Sequence, residues 1–354
     1  MFDLAIVGGG IVGAWTAYHA AHRHPDWDIV LLEKDRVGRG ASFYAANLDL
    51  PYGHTEKRRE MTVFSQRCFA ELKRELPEIS RVEMPFWGFT RRAELAALRQ
   101  CYTVPGVREA LPEEITQLQA ALPWMHLGEE EAGLTGTTCF RAADAETPFH
   151  LIAHLVRHHG LQLRESTPVH DIAEQSGVFH LLTPWTEPVA ARSVILTTGP
   201  WLNRGYAGAQ IQQRQRIKKV AAFHLDLPVP KGAPTVYFFH EDLFFLPRPE
   251  VDGWLVSYRC DEWDVDPEGG ELGIRARDRE VISHLLGQRN PNLPPRIAGA
   301  QVFCDGYPPD SNPLIFALQP PQPLVVAGGP GGSGYRLAPA IGEEAVAMVE
   351  SQLV

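Results

Sequence analysis

The sequence is poor in the residues that mark several protein classes. Only five of its 354 residues are cysteines, and no two of them have the CxxC spacing of a thiolate zinc site. The odd count argues against a disulfide framework and favours a reducing cytoplasm. Lysine and arginine number 33 and aspartate and glutamate 43, so the net charge is −10. This excess of acid argues against a nucleic-acid partner, because phosphate binding needs clustered positive charge.

Long apolar runs are also missing. The uncharged stretch at residues 4–21 contains four glycines and has no basic residue before it. It is therefore not expected to be a signal peptide or a membrane-spanning helix, which needs about 20 consecutive apolar residues. We expect a soluble, cytoplasmic, globular chain of roughly two domains, from the usual ~150 residues per domain.

The first 35 residues contain a dinucleotide-binding pattern. An apolar strand at 4–7 leads into GGGIVG (8–13), an alanine-rich helix follows, and a second apolar strand ends at Glu33. In this pattern Gly8 permits the tight turn, Gly10 lets a pyrophosphate approach the backbone, and Gly13 allows close helix packing. Glu33 is placed to accept hydrogen bonds from a ribose. An acid at this position disfavours a 2′-phosphate, so NAD or FAD is expected rather than NADP.

Two further glycine-rich segments fit an extended cofactor. Residues 38–48 form a segment rich in small residues, which can lie against a flat ring or a second phosphate. The alternative interpretation of this segment is a surface loop. Near the other end, an apolar strand at 324–327 leads into GGPGGSGYRLAP (328–339), and a helix is predicted over 340–352. The start of that helix can direct N–H groups towards a developing anion.

These motifs, in this order, resemble those of the flavoprotein amine oxidases typified by D-amino acid oxidase, glycine oxidase and monomeric sarcosine oxidase. Besides residues 8–33, the resemblance rests on GAS (40–42), YPPDSNPLI (307–315) and GPGGSGYRLAP (329–339), with weaker matches at TGPW (198–201) and TPV (167–169). It implies FAD, and the register of Cys304 relative to the family motif predicts that the FAD is not covalently bound. It also implies an α/β fold, with a Rossmann-like FAD-binding domain of the glutathione-reductase type and a mostly antiparallel-sheet substrate domain.

The FAD-binding domain is predicted to be discontinuous, over 1–80, 145–215 and 300–354, and the substrate domain to fill 81–144 and 216–299. The motifs and the resemblance together assign cofactor contacts to Gly8, Gly10, Ile11, Val12, Gly13, Glu33, Lys34, Ala41, Ser42, Asn47, Leu48, Val169, Thr198, Gly199, Trp201, Gly331, Gly332, Ser333, Gly334, Tyr335, Arg336 and Leu337.

The resemblance implies an enzyme that oxidises the C–N bond of a small amine or an N-substituted glycine or amino acid. Hydride passes to flavin N5, the imine is hydrolysed, and O2 or an electron carrier reoxidises the flavin. Arg336 stands where the family has a lysine, and it is predicted to stabilise the anionic reduced flavin, unless it forms a surface ion pair. No metal is predicted, because the histidines at 22–24 and 158–159 lack a ligand pattern.

Position 305 departs from the family pattern. Glycine and D-amino acid oxidases carry an arginine five residues before the aspartate of the TPDG motif, whereas this chain has Asp305 before Asp310. A carboxylate there repels an α-carboxylate, so a simple free amino acid is not the expected substrate. Arg259 is the predicted substitute, unless it pairs with Asp261 or Glu262.

Three other features have two interpretations each. Tyr258 and Tyr237 are candidate hydrogen-bond donors to the substrate, or structural tyrosines. Cys304 lies near the position of the cysteine that bonds FAD in sarcosine oxidase, but it is one residue out of register and is predicted to point to the opposite face. The basic run 57–59 is interpreted as a solvated helix start rather than a site for an acidic substrate.

Two other functions stay open at this point. One is a FAD-dependent 2-hydroxy-acid dehydrogenase on the same scaffold. The other is a flavin-binding subunit of a larger dehydrogenase complex, with no chemistry of its own. This alternative stays open because the chain departs from the family pattern at Asp305 and at Ser333, where the family has histidine.

Overall fold

The computed structural model describes residues 1–79, 81–142, 145–204, 211, 214–270, 272–290, 296–318 and 322–353. Its strands are, in chain order, β1 (Phe2–Val7), β2 (Ile29–Leu32), β3 (Leu48–Asp49), β4 (Arg81–Arg91), β5 (Arg108–Glu109), β6 (Glu131–Ala142), β7 (Gln162–Arg164), β8 (Asp171–Gln175), β9 (Val178–Leu182), β10 (Val189–Leu196), β11 (Arg216–Leu225), β12 (Thr235–Phe238), β13 (Leu243–Arg248), β14 (Gly253–Ser257), β15 (Ile297–Tyr307), β16 (Leu314–Ala317) and β17 (Leu324–Gly328). Its α-helices in the same residues are α1 (Ile11–Arg23), α2 (Ala41–Tyr44), α3 (Glu56–Glu75), α4 (Leu95–Gln100), α5 (Pro112–Ala121), α6 (Thr147–His158), α7 (Ala276–Arg289) and α8 (Gly334–Leu353).

The first sheet has the predicted Rossmann-like core. Its strands follow the order β16-β17-β10-β1-β2-β7, and the five from β17 to β7 run parallel. The predicted hairpin is confirmed, because β9 pairs antiparallel with β10 and brings Leu181 opposite Val189. Alternate residues of β1 explain its unbroken apolar run: Leu4 and Ile6 pack with the helices α1, α3, α6 and α8, while Ala5 and Val7 pack into a core on the other face.

The second sheet is mostly antiparallel, as predicted. Its order is β15-β11-β14-β13-β12-β4-β6-β3, with β5 on β6, and β12 and β4 form its parallel pair. The apolar side chains on one face pack with residues of α5 and α7. The strands β3 and β15 belong to this sheet although they lie at least partly in segments assigned to the FAD-binding domain, so the domain boundaries stay a prediction.

The last helix begins earlier than predicted. It starts at Gly334 rather than at residue 340, and Pro339 lies inside it. The helix accommodates this proline because the neighbouring Ala340 N–H donates to Ser65 Oγ of α3 at 3.2 Å. None of the helices in the described part of the chain combines the length and apolarity needed to cross a membrane.

Candidate cofactor and substrate site

The carboxyl ends of β1, β2 and β10 lead into a cavity of about 1090 Å³ that is lined by residues of both sheets. That volume is at the upper end for small-molecule sites, as a dinucleotide requires. All the predicted cofactor residues line it except Gly13 and Leu337. Leu337 is fully buried in the core. A Cβ on Gly13 would lie 1.9 Å from the Gly8 carbonyl oxygen, so Gly13 acts by allowing close packing of the helix.

The dinucleotide end of the cavity is built around the start of α1. No side chain caps this helix at Gly10, and the Ile11 N–H donates to Ser42 Oγ at 3.0 Å, which ties the predicted second glycine-rich segment to the first. Glu33 accepts hydrogen bonds from Gly9 N at 2.7 Å and from Asp35 N at 2.9 Å. A helix start that keeps free N–H groups after the Ile11 bond to Ser42, beside this carboxylate, fits the pyrophosphate and ribose of FAD.

The glycine loop before α8 borders the other end of the cavity. Asp305 accepts hydrogen bonds from Gly306 N at 2.8 Å and from Gly332 N at 2.9 Å, and its burial raises the pKa of this carboxyl to about 6. Asp305, which departs from the family pattern, therefore stabilises the glycine loop. Each of its carboxylate oxygens already accepts a hydrogen bond from a backbone N–H.

Arg336 is buried beside this loop, 9% exposed, which excludes the alternative of a surface ion pair. Its guanidinium donates to Ser333 Oγ at 2.6 Å and to the Leu50 carbonyl at 3.3 Å. Burial lowers the pKa of Arg336 from its usual value.

Arg58 lines the cavity, whereas the sequence pattern predicts a solvated basic run at 57–59, with a site for an acidic substrate as the alternative. The prediction of a solvated basic run is wrong at this position, because Arg58 is 3% exposed and lines the cavity. Its guanidinium donates to the Pro330 carbonyl of the glycine loop and lies 3.4 Å from His54 Nε2. Burial and the charge of Arg336 lower the pKa of Arg58 to about 10, so it stays cationic at neutral pH.

Helical periodicity contains a signal for this placement. Within α3, Arg58 shares a face with the buried Met61, Thr62, Ser65 and Phe69, at offsets of three, four, seven and eleven residues. The cluster of charges around it obscured this pattern.

Arg259 keeps its predicted place. It is exposed, lines the cavity, and forms no ion pair with the described residues. Asp261 and Glu262 are the alternative partners that the sequence suggests. Glu262 instead pairs with Lys219 at 2.9 Å and with Arg275 at 3.1 Å, and Asp261 forms no ion pair with Arg259 among the described residues. Arg259 therefore remains available to a ligand.

The two candidate tyrosines line the cavity but use their hydroxyl groups elsewhere. Tyr258 donates to Asp278 at 2.7 Å and Tyr237 donates to Asp242 at 2.5 Å. These contacts favour the structural interpretation for both residues.

Cys304 does not face the cavity. On β15 the lining residues are Gln301, Phe303, Asp305 and Tyr307, so the alternation of a strand points Cys304 to the opposite side. Burial also raises the pKa of its thiol to about 12. Both observations agree with FAD that is not covalently bound through this residue.

Comparison with known proteins agrees with this geometry. The model of the family described as FAD dependent oxidoreductase (DAO) matches residues 3–348. The chain is 24% identical to a glycine oxidase of Bacillus licheniformis, over 98% of this chain and 93% of the relative. It is 22% identical to the peroxisomal sarcosine oxidase of Homo sapiens, over 97% and 90%. The crystal structure of glycine oxidase from Geobacillus kaustophilus has the same fold, with a TM-score of 0.81 at 21% identity over 99% of this chain and 95% of that chain.

Proposed function

The chain belongs to the family of FAD-dependent oxidoreductases, and from this premise we propose that it oxidises the C–N bond of a small carboxylated amine such as an N-substituted glycine. When bound, FAD accepts the hydride that leaves the substrate carbon. The product is an imine, which water hydrolyses to a carbonyl compound and the released amine. O2 is the proposed electron acceptor.

The observation that carries this proposal is the pair formed by Arg58 and Arg336. Both are buried and line the cavity beside the glycine loop, and neither forms an ion pair with the described residues, although the charges of Asp49 and Asp305 reach Arg336 and Arg58 at longer range. Two buried cations that no carboxylate contacts directly favour an anionic ligand, and guanidinium groups suit a planar carboxylate. Arg259, at the exposed side of the same cavity, extends this positive surface.

The same two charges would act on the substrate amine. Positive groups nearby disfavour the protonated form of an amine and so lower its pKa. A neutral amine has the lone pair that must be available when hydride leaves the adjacent carbon. The arginine pair would therefore position the carboxylate and promote the reactive protonation state together.

Aromatic side chains surround the same end of the cavity. The rings of Tyr237 and Phe239 stack with centroids 4.2 Å apart, and Tyr52 lies 5.2 Å from Phe239. Such walls limit water around the reacting atoms, which strengthens the attraction between the arginines and a carboxylate.

An anaerobic flavin-bleaching screen tests the proposal. The purified holoenzyme is mixed with glycine, sarcosine, D-alanine and bulkier N-carboxymethyl amines, with matched amines lacking the carboxylate, and with lactate. We expect bleaching by one or more carboxylated amines, no bleaching by the matched amines that lack the carboxylate, and stoichiometric peroxide when oxygen is admitted. Bleaching by lactate alone would instead support the 2-hydroxy-acid alternative, and bleaching by no amine would refute the proposal.

A further inference from the structure

We propose that a second site, remote in function from the cavity, binds a divalent transition metal of the zinc class through His22, Glu75 and His159. These residues come from distant parts of the sequence. The candidate ligand atoms of the three side chains all lie within 4.8 Å of one another. The prediction that these histidines lack a ligand pattern considered spacing along the chain, whereas the fold brings them together.

One of the distances suits a small tetrahedral ion, and the other pairs of ligand atoms lie within 4.8 Å. His22 Nε2 lies 3.3 Å from Glu75 Oε1. In a tetrahedron with metal–ligand bonds of about 2.0–2.1 Å, two ligand atoms are roughly 3.3 Å apart. Two imidazoles and one carboxylate form a common zinc ligand set, and the fourth position is left for water.

Neighbouring groups already orient two of these ligands. His22 Nδ1 lies 2.8 Å from the Tyr18 carbonyl oxygen, so a proton on Nδ1 leaves the lone pair of Nε2 directed at the site. The Tyr18 hydroxyl donates to Glu75 Oε2 at 2.6 Å, and His154 Nε2 lies 2.9 Å from Glu75 Oε1. Hydrogen bonds of this kind fix the tautomer and direction of metal ligands in proteins.

The backbone also favours a cation here. His22 is in the last turn of α1, Glu75 is the last residue of α3, and His159 directly follows α6. Three helix C-termini therefore converge on the site. Each contributes unpaired carbonyl groups and a partial negative charge, which stabilise a positive ion.

Two other clusters of potential ligands in the described residues are already filled by basic side chains. Arg289 forms ion pairs with Glu131 and Glu241 beside His240. Lys219 forms ion pairs with Glu262 and Asp278 beside Cys260. In contrast, the ion-pair partners of Glu75 in the described part of the chain are histidines, which can exchange a proton for a metal.

Zinc titration of the tag-free, chelator-treated holoenzyme tests this site, by competition with a chromophoric zinc indicator. We expect one equivalent of Zn²⁺ to bind, with no comparable binding of Mg²⁺, which prefers oxygen ligands. His22→Gln, Glu75→Gln and His159→Gln should each weaken binding by more than about tenfold, and Tyr18→Phe by about tenfold. His126→Gln removes an exposed histidine on another part of the molecule and should change nothing.

Flavin absorbance and the thermal midpoint of each metal-free variant show whether it is folded. In folded variants, zinc should raise the midpoint of the wild type and of His126→Gln but not of the ligand variants. The proposal is overturned if the wild type binds no stoichiometric zinc, or if the ligand variants bind it as tightly as His126→Gln does. X-ray absorption showing sulfur ligands would overturn it as well.

Discussion

Arg58 and Arg336 enter the same cavity from different elements of the fold. Their roles can therefore be tested by separate substitutions. Arg336 follows the glycine loop and is recognisable from the motif, while Arg58 comes from α3 and contacts the loop through the Pro330 carbonyl. Both are buried, and neither is in direct contact with a carboxylate of the described residues. A carboxylate ligand would supply a counter-charge in direct contact with both guanidinium groups.

Arg58→Gln should therefore weaken the binding of carboxylated ligands. Loss of one buried, charge-assisted contact is worth about 2 kcal/mol, so the dissociation constant should rise roughly thirtyfold. The measurement is a titration of flavin absorbance with a carboxylate that is not oxidised. Lys57→Gln is the matched control, because it removes one positive charge from the exposed neighbouring residue. Equal effects of the two substitutions would show that the charge acts at long range and not by contact.

Asp305 introduces a pH dependence at the same end of the cavity. Its folded pKa, about 6, is above its usual value because burial outweighs its two N–H bonds and the charge of Arg58. Above pH 6 the carboxyl is negative and repels an anion, and below pH 6 it is neutral. The affinity for a carboxylate should thus fall on the order of tenfold as pH rises through about 6.

Asp305→Asn should remove this inflection. His54 also lies in the cavity, and burial with the charges of Arg58 and Arg336 lowers the pKa of its imidazole, so its deprotonation has the same sign. A second variant, His54→Gln, separates the two groups. An inflection near pH 6 that persists in Asp305→Asn and disappears in His54→Gln would assign the effect to the histidine.

Among the helices, α1 and α8 pack most closely, and one glycine allows it. A Cβ on Gly342 would lie 2.7 Å from Thr16 N and 2.9 Å from Trp15 C in the backbone of α1. Gly342→Ala must push the two helices apart and should destabilise the protein by about 1–3 kcal/mol, seen as a lower thermal midpoint. Gly287→Ala in α7 meets no atom within 4 Å and should be neutral or stabilising by up to about 1 kcal/mol. A neutral Gly342→Ala would mean that α8 can shift freely.

Elements defined by local sequence were predictable and those defined by distant contacts were not. The strand, glycine turn and helix at residues 2–23 follow from neighbouring residues, as do the strands around the β9–β10 hairpin. The first turn of α8 closes on the Ser333 carbonyl, and Ser65, some 270 residues away, accepts the N–H next to Pro339. The spacing within α3 indicates that Arg58 is buried, but its Pro330 partner and the meeting of three helix ends at the histidine cluster are long-range contacts. No spacing along the chain encodes these partners.

For the molecule as a whole, the segment between β14 and α7 connects the second sheet to the dinucleotide end of the cavity. Glu268 in this segment lines the cavity, and its carboxylate contacts Lys34 and Arg204, each at 3.3 Å. Lys34 in turn lies over the Trp201 ring, 3.9 Å from its centroid. Lys34 and Trp201 are both predicted FAD contacts, so these ion pairs are expected to restrain the segment against the bound cofactor.

Glu268→Gln should therefore speed the release of FAD without affecting the fold. The side chains involved are between one third and one half exposed, so water and salt screen these pairs and each contributes at most about 1 kcal/mol. The FAD dissociation rate, followed by the rise in flavin fluorescence, should increase about two- to fivefold. High salt should increase the rate in the wild type and increase it less in the variant, which keeps the ion pair of Arg204 with Asp266 but has lost both pairs of Glu268. Glu109→Gln breaks a more exposed ion pair with Arg92 that does not line the cavity, and it should leave the rate unchanged. A salt effect equal in Glu268→Gln and the wild type would place the restraint at other ion pairs, such as that of Arg204 with Asp266 in the same segment.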